Sequence, residues 1–289
     1  MPNSYNSTFF DIKALESYIS KDKLKLLNDI PNIAKRANLS SKHLYKEFKG
    51  LHISGNLELF KAPKVAIIGT RSPNQYTKHY TATLSRALSN RGFIVVSGGA
   101  IGVDSIAHTH SDTHSIMVLP CGLNVNYPKE NARLIESKRR NALVVSEYER
   151  DFMPHKYSFL ERNRIIIALS DFVIIPQADL QSGSMSSANL CYALNLKPFV
   201  LPHRLGESLG TQDLLSKNRA NCIYNTQDFI TQMCENFGLD SIESSDEILD
   251  FARNNGLFSE ALRLFGERVL EYELQGKITR NGLYISTSL

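Results

Sequence analysis

Six short apolar runs, rich in valine and isoleucine, constrain the fold of this 289-residue chain more than any other feature. They are VAIIG (65–69), FIVVS (93–97), SIMVL (115–119), ALVVS (142–146), FVIIP (172–176) and FVLP (199–202). Each run is too short for a helix and is followed by a break and then a helical stretch. Because continuous apolar strands are typical of a parallel sheet covered by helices, we predict an α/β domain with a doubly wound, mostly parallel sheet. Ligands of such sheets bind beyond the carboxyl ends of the strands, so the loops there are the candidates for function.

The segments on either side of these runs have a different character. Residues 1–60 predict short helical pieces, including a basic stretch over residues 33–48 that is typical of a solvated face. The acidic, polar sequence DSIESSDE (240–247) predicts a linker. We therefore expect a helical N-terminal segment over 1–60, the sheet domain over 61–240 and a separate domain over 246–289.

The last of these domains has the element order of a winged helix. Its pattern predicts three short helices, over 248–253, 259–264 and 267–274. A hairpin over 277–285 is indicated by Asn281-Gly282, a strong turn signal. The third helix carries more glutamate than arginine, which argues against docking on duplex DNA and favours contact with protein.

Composition places the chain among cytosolic proteins. No apolar run approaches the roughly 18 residues needed to span a bilayer, and residues 1–17 lack the features of a signal peptide, so we expect no membrane association. The cysteines are scattered without metal-ligand spacing, which predicts reduced packing residues. The formal net charge of +4 is too small to indicate a nucleic-acid partner by itself.

Three loops after predicted strands are suited to phosphate. In Gly69-Thr70-Arg71-Ser72, an arginine stands where a dinucleotide-binding turn would need glycine, which disfavours NAD but suits a phosphodiester; a surface arginine paired with a carboxylate is the alternative. The loop 97–104 includes Gly98 and Gly99, which present backbone donors or merely permit a tight turn. The loop 181–188 adds Ser182, Gly183 and Ser184 before a predicted helix, and three such loops on one edge are more informative than one.

The segment 154–164 interleaves cations with aromatic residues, a mixture that suits single-stranded nucleic acid. Cations meet phosphates, and an aromatic ring stacks on an unpaired base. Tyr157 and Phe159 could equally be core residues. The usual enzyme motifs are absent from the sequence. Asp104 and His108 lie four residues apart on one predicted helix and could form an acid/base pair, although such contacts are commonly structural.

Six motifs occur in order along the chain: VAIIGTR, VVSGGAIGVDSIAH, VLPCGLNVNYPKEN, VVSEY, SFLERNRIIIALSD and SGSMSSA. Together they resemble the motifs of the DNA-processing protein A (DprA, or Smf) family, and the resemblance runs from about His52 to Phe237. It implies an extended Rossmann-like domain that forms a homodimer and binds single-stranded DNA in a basic pocket. It also implies a role in natural transformation, in which the protein protects incoming DNA and helps to load the RecA recombinase.

The resemblance also implies a set of site residues. By this resemblance, the residues that contact DNA are Arg71, Lys156 and Phe159. The floor of the pocket is formed by Gly98, Gly99, Ser182, Gly183 and Ser184, and the residues that support the pocket are Arg162, Asn163 and Arg164. Ile101 stands where the family commonly has arginine, so one cation is missing near the second loop.

We expect no metal and no nucleotide cofactor, because backbone donors and cations can capture phosphate unaided. Two alternatives remain. One is a Rossmann-like phosphoribohydrolase, disfavoured because Pro176-Gln177-Ala178-Asp179 replaces the P-G-G-x-G-T pattern of those enzymes. The other is a protein-interaction scaffold for which DNA binding is incidental.

Overall fold

The computed structural model describes residues 7–39, 42–239, 247–253 and 256–287. The chain divides into two compact units, Met1–Phe237 and Gly238–Leu289. Of the predicted linker over 240–247, all but Glu247 lies outside the described residues. No helix in the part of the chain that the structure describes is long and apolar enough to cross a membrane.

The first unit is built on a nine-stranded sheet with the order β1-β2-β6-β5-β4-β3-β7-β8-β9. The strands from β6 to β9 in this order are parallel, whereas β1 and β2 add an antiparallel edge. The six predicted strands correspond to β3 to β8, which confirms the doubly wound, mostly parallel α/β fold. The strands are β1 (Thr8–Asp11), β2 (Gly50–Gly55), β3 (Lys64–Ile67), β4 (Ile94–Gly98), β5 (Ser115–Val118), β6 (Leu143–Ser146), β7 (Phe172–Ile175), β8 (Phe199–Val200) and β9 (Asn221–Cys222).

Helices connect the parallel strands and cover the sheet. Their starts follow local capping chemistry: the Asn74 side chain accepts a hydrogen bond of 2.8 Å from the Thr77 backbone N–H at the start of α3. The helices are α1 (Ile12–Leu15), α2 (Lys21–Arg36), α3 (Gln75–Ser89), α4 (Val103–His110), α5 (Ala132–Asn141), α6 (Ser158–Leu169), α7 (Gly183–Ala193), α8 (Leu209–Ser216) and α9 (Thr226–Phe237), with 3-10 turns at Lys42–Tyr45, Leu57–Phe60 and Lys129–Asn131.

The helical prediction for residues 1–60 was incomplete, because β1 and β2 lie in this segment. Strand β2 pairs with β6, and its residues Leu51 and Ile53 are buried in the main core together with Leu27 and Ile30 of α2. The strand is bounded by Gly50 and Gly55, both at positive φ, so only residues 51–54 remain between two breaks in the sequence pattern. The segment thus contributes both a strand pair and a helix to the first unit.

The strand order reverses beside β3. From β3 the chain adds β4, β5 and β6 outward on one side and then returns to place β7 on the other side of β3. The loops that follow β3, β4 and β7 therefore meet at the carboxyl edge of the sheet. This is the switch point at which open α/β sheets bind ligands.

The second unit contains three short helices followed by a hairpin, as predicted, which is the element order of a winged helix. These elements are α10 (Glu247–Arg253), α11 (Phe258–Phe265), α12 (Arg268–Leu274), β10 (Ile278–Asn281) and β11 (Tyr284–Thr287). The hairpin turns at Gly282, whose φ of 65° favours glycine. The buried core of the second unit is small and includes Ile248, Phe258, Val269 and Ile285.

Candidate nucleic-acid interface

A pocket of about 380 Å³ opens at the switch point, among the loops after β3, β4 and β7 and the start of α6. The structure brings most of the predicted site residues together there. Those that line the pocket are Arg71, Lys156, Phe159, Arg162, Asn163, Ser182, Gly183 and Ser184. Gly98, Gly99 and Arg164 do not line it, and each has a different position.

Arg71 and Phe159 form the mouth of the pocket. The guanidinium carbon of Arg71 lies 4.9 Å from the centroid of the Phe159 ring, within cation–π distance. Among the described residues, no carboxylate oxygen lies within ion-pair distance of Arg71, so the alternative of a paired surface arginine does not describe this side chain. Phe159 is only partly buried, and the neighbouring Lys156 is exposed. Both cations are thus exposed, and the partly buried ring lies beside one of them.

Gly102 lets the second loop approach the Arg71 loop closely. It has a φ of 92°, and a Cβ atom there would lie 2.7 Å from the Arg71 Cα and 2.5 Å from the Thr70 carbonyl oxygen. The Val103 backbone N–H donates to that same oxygen at 3.2 Å. The position of Arg71 is therefore set by backbone contacts between adjacent loops.

Gly98 makes room for Arg162 beneath the pocket. A Cβ atom on Gly98 would lie 1.1 Å from Nη1 of Arg162, so no other residue fits there without moving this guanidinium. Nη1 donates to the Val118 carbonyl oxygen at 3.2 Å and lies 3.5 Å from Oδ2 of Asp104. Gly99 is also buried, and its carbonyl oxygen accepts a hydrogen bond of 2.9 Å from Nδ2 of Asn131. Gly98 thus acts on the pocket through Arg162, whereas Gly99 contacts the 3-10 turn at Lys129–Asn131.

The carboxylate of Asp104 is paired with Arg162 rather than with His108. Burial raises the pKa of Asp104, an effect opposed by the Arg162 charge and by hydrogen bonds from the backbone of Ala100 and Gly98. Burial also lowers the pKa of His108 to about 3, so this imidazole is neutral at neutral pH. The ion pair between Asp104 and Arg162 therefore has a structural role at the floor of the pocket.

The start of α7 forms the opposite wall. Oγ of Ser182 accepts a hydrogen bond of 3.2 Å from the Met185 backbone N–H and so caps the helix. Nδ2 of Asn163 donates to Oγ of Ser187 at 3.0 Å, which ties α6 to α7. The first N–H groups of a helix have no intrahelical acceptor, and its positive dipole end favours an anion. Gly183 and Ser184 bring those groups to the pocket.

Arg164 points away from the pocket, into a buried ionic cluster. Its Nη2 lies 2.5 Å from Oε1 of Glu147, and both side chains are almost fully buried. Nζ of Lys46 lies 3.3 Å from Glu147 and 3.4 Å from Glu161. Any support that Arg164 gives the site is therefore indirect: it anchors α6, the helix that carries Phe159, to residues 42–49.

One aromatic side chain at the pocket mouth was not singled out from the sequence. The Tyr127 ring lies 5.9 Å from the Phe159 ring, centroid to centroid, at an interplanar angle of 59°. Its only sequence signal is an aromatic residue before proline in the loop after β5, which is weak alone. Among the described residues, no group of three or more His, Cys, Asp or Glu side chains could hold a metal ion.

The structure thus defines an α/β protein with a cationic, aromatic pocket at the switch point of a doubly wound sheet, and comparison with known proteins gives the family. The family model described as DNA recombination-mediator protein A matches residues 32–234. The DNA processing protein DprA of Bacillus subtilis is 30% identical over 214 residues, which are 72% of each chain. The chain therefore belongs to the DNA processing protein A (DprA/Smf) family.

Among the solved structures that are similar to this chain, two are of DNA processing proteins. One, of DNA processing protein A from Helicobacter pylori, describes the single-stranded DNA binding mode of that protein. It is 44% identical, covers 82% of this chain and 100% of its own, and has a TM-score of 0.70. The DprA structure from Streptococcus pneumoniae is 28% identical, covers 80% of this chain and 75% of its own, and has a TM-score of 0.65.

Proposed function

We propose that this protein binds single-stranded DNA in the pocket at the carboxyl edge of its sheet. The observation that carries the proposal is the convergence of Arg71, Lys156, Phe159 and the start of α7 on one pocket. The two cations and the helix start suit phosphate oxygens, and the ring suits an unpaired base. The similarity to the Helicobacter pylori protein, whose structure concerns single-stranded DNA binding, supports the same ligand.

The preference for a single strand follows from the shape of the site. Stacking on Phe159 requires a base with a free face, and bases inside a duplex are already stacked on their neighbours. A recessed pocket is also a poor match for the regular surface of a duplex. We therefore propose strand selectivity rather than general affinity for polyanions.

We further propose a non-enzymatic role in natural transformation. In the cytoplasm, a homodimer protects incoming single strands and helps to load the RecA recombinase onto them, without metal or nucleotide cofactor. Family membership supports this role. Asp104, a carboxylate that lines the pocket, lies 3.5 Å from the Arg162 guanidinium, a contact typical of a structural ion pair.

The residues after β7 also make structural hydrogen bonds. The backbone oxygen of Gln177 accepts from the Thr70 N–H at 3.0 Å, and its Oε1 accepts from the Asn74 N–H at 3.1 Å. The loop after β7 therefore holds the Arg71 loop in place by hydrogen bonds. A phosphoribohydrolase is expected to have a glycine-rich turn at this position instead. The hydrolase alternative gains no support from it.

The direct test compares a single strand with the duplex of the same sequence in a gel-shift titration, alongside a hydrolysis assay on nucleoside monophosphates. We expect tighter binding of the single strand and no release of base. Equal affinity for the two forms, or turnover of a nucleotide, would contradict the proposal. The RecA step is tested separately, by whether the protein accelerates RecA assembly on single strands.

A further inference from the structure

Tyr127 is an exposed aromatic side chain that packing does not explain. Its exposed fraction is 37%, and its ring lies 5.9 Å from that of Phe159. Phe159 in turn lies under the Arg71 guanidinium. Arg71, Phe159 and Tyr127 therefore form a continuous row that leads out of the pocket.

The loop that carries Tyr127 is firmly held. Nη1 of Arg139 donates to Oδ1 of Asn126 at 2.5 Å, and Nη2 donates to the Val125 carbonyl oxygen at 3.3 Å. Nδ2 of Asn126 donates to Oε1 of Glu136 at 2.8 Å. An exposed ring on an anchored loop loses little conformational entropy when it meets a ligand, which is the property of a stacking platform.

The positions of Arg71 and Tyr127 follow from the order of the strands in the sheet. Strands β3, β4 and β5 are adjacent and parallel, about 4.8 Å apart. Arg71 follows β3 and Tyr127 follows β5, so the row extends along the carboxyl edge from the β3 side toward the β5 side. Lys129 and Arg133, next along the chain, are exposed and have no ion-pair partner among the described residues. Glu130 adds one negative charge between them.

We propose that Tyr127 is a second base-stacking platform, and that single-stranded DNA runs from the pocket across Phe159 and Tyr127 toward Lys129. This inference rests on the proposed function and extends it by naming the path that the strand takes. Short strands reach only the pocket and Phe159. Longer strands also contact Tyr127.

An oligo(dT) ladder of about 4 to 20 nucleotides tests this path. Affinity of the unmodified protein should rise as the strand becomes long enough to cover both rings. Tyr127→Ala should leave the shortest bound strand unaffected and weaken the long strands by about 5- to 150-fold, the effect of losing one stacked base. Tyr127→Phe, which keeps the ring, should bind as the unmodified protein does.

A fluorescence experiment gives an independent readout, because the chain contains no tryptophan. Tyr127→Trp introduces one reporter at the proposed platform, and stacking on a base should quench its emission when long oligo(dT) binds. Tyr192→Trp is the matched control. Tyr192 is also exposed but lies in the last turn of α7, while the pocket lies at the first. Its emission should stay unchanged.

The inference and the proposed function fail in different ways. If the unmodified protein does not bind single strands, the proposed function is wrong. If it binds and Phe159→Ala weakens it, but Tyr127→Ala binds all lengths normally, only the second platform is wrong. Loss at every length together with a lower melting temperature would show that Tyr127 acts in folding, and would also overturn the inference.

Discussion

The carboxyl edge of the sheet and the third helix of the C-terminal unit present opposite charges. At the edge, Arg71 and Lys156 are exposed, and the nearby carboxylate of Asp104 is buried against Arg162. Helix α12 presents glutamate instead: Glu267 and Glu271 are exposed beside the single cation Arg268. The exposed charges of the first region would attract phosphate, and those of the second would repel it.

The basic residues of the C-terminal hairpin do not reverse this difference. Lys277 lies 4.7 Å from the Tyr272 ring centroid, and Arg280 lies 4.0 Å from that of Phe258. Nε of Arg280 also donates to the Gly282 carbonyl oxygen at 3.1 Å, so this guanidinium is engaged within its own hairpin. The comparison shows that the small net charge of the chain is a poor guide to where an anionic ligand binds. The position and contacts of each cation decide whether a ligand can reach it.

The largest expected effect tests the anchoring of α6, on which the edge depends. Glu147→Gln leaves Arg164 buried without its counter-ion, which should cost the first unit about 3–5 kcal/mol in free energy of unfolding. Lys61→Ala, which removes an exposed ion pair with Glu58, should cost less than about 1 kcal/mol. Chemical denaturation followed by a probe in each unit would measure both values. A Glu147→Gln protein as stable as Lys61→Ala would show that the cluster does not anchor the helix.

The substitution Phe159→Ala tests whether this ring at the carboxyl edge stacks on a base. If the ring stacks on a base, its loss should weaken single-strand binding by roughly 1–3 kcal/mol, with almost no change in salt dependence, because stacking releases no counterions. Titrations at several salt concentrations would measure this. If Phe159 is only a core residue, the variant should instead melt at a lower temperature while its folded fraction binds normally.

Removing residues 247–289 tests the other side of the comparison. Since α12 is acidic and Arg280 is engaged within its own hairpin, we expect single-strand affinity to change by no more than about a few-fold. Binding assays on the truncated and full-length chains would measure the change. A hundredfold loss or more would mean that the C-terminal unit contributes to the DNA site.

The smallest expected effect is that of a chelator. Backbone donors and cations of the chain suffice to capture phosphate, so EDTA should leave the affinity for single strands unchanged. The same titration with and without EDTA provides the measurement. Reversible loss of binding, restored by a divalent cation, would reveal a metal site that this account lacks.

Sequence patterns predicted the fold well where burial follows local composition. The six apolar strands and the three C-terminal helices were evident because their residues are apolar with the right periodicity. Strands β1, β2 and β9 were not, since β1 (TFFD) and β9 (NC) contain no continuous apolar run of valine and isoleucine, and β2 (GLHISG) offers only four residues between two glycines. Edge strands depend on tertiary pairing, which local patterns do not report.

The site was predictable in location but only partly in detail. Strand ends placed Arg71 and Ser182–Ser184 at one edge, and the structure shows them around one pocket. The direction of individual side chains was not predictable: Arg162 and Arg164 are two residues apart, yet one lies under the pocket and the other meets Glu147. The part played by Gly98 also depends on a long-range contact, with Arg162.

The salt dependence of single-strand affinity in Arg71→Ala and Lys156→Ala tests the central claim most directly. Each substitution removes a phosphate contact, so each should weaken binding to all sequences alike and flatten the log–log salt slope by about 0.7. Lys61→Ala, at the amino end of β3 on the opposite side of the sheet, is the control for lost charge and should keep the unmodified slope. If Arg71→Ala and Lys156→Ala both bind single strands with unmodified affinity and slope, DNA does not bind at this edge.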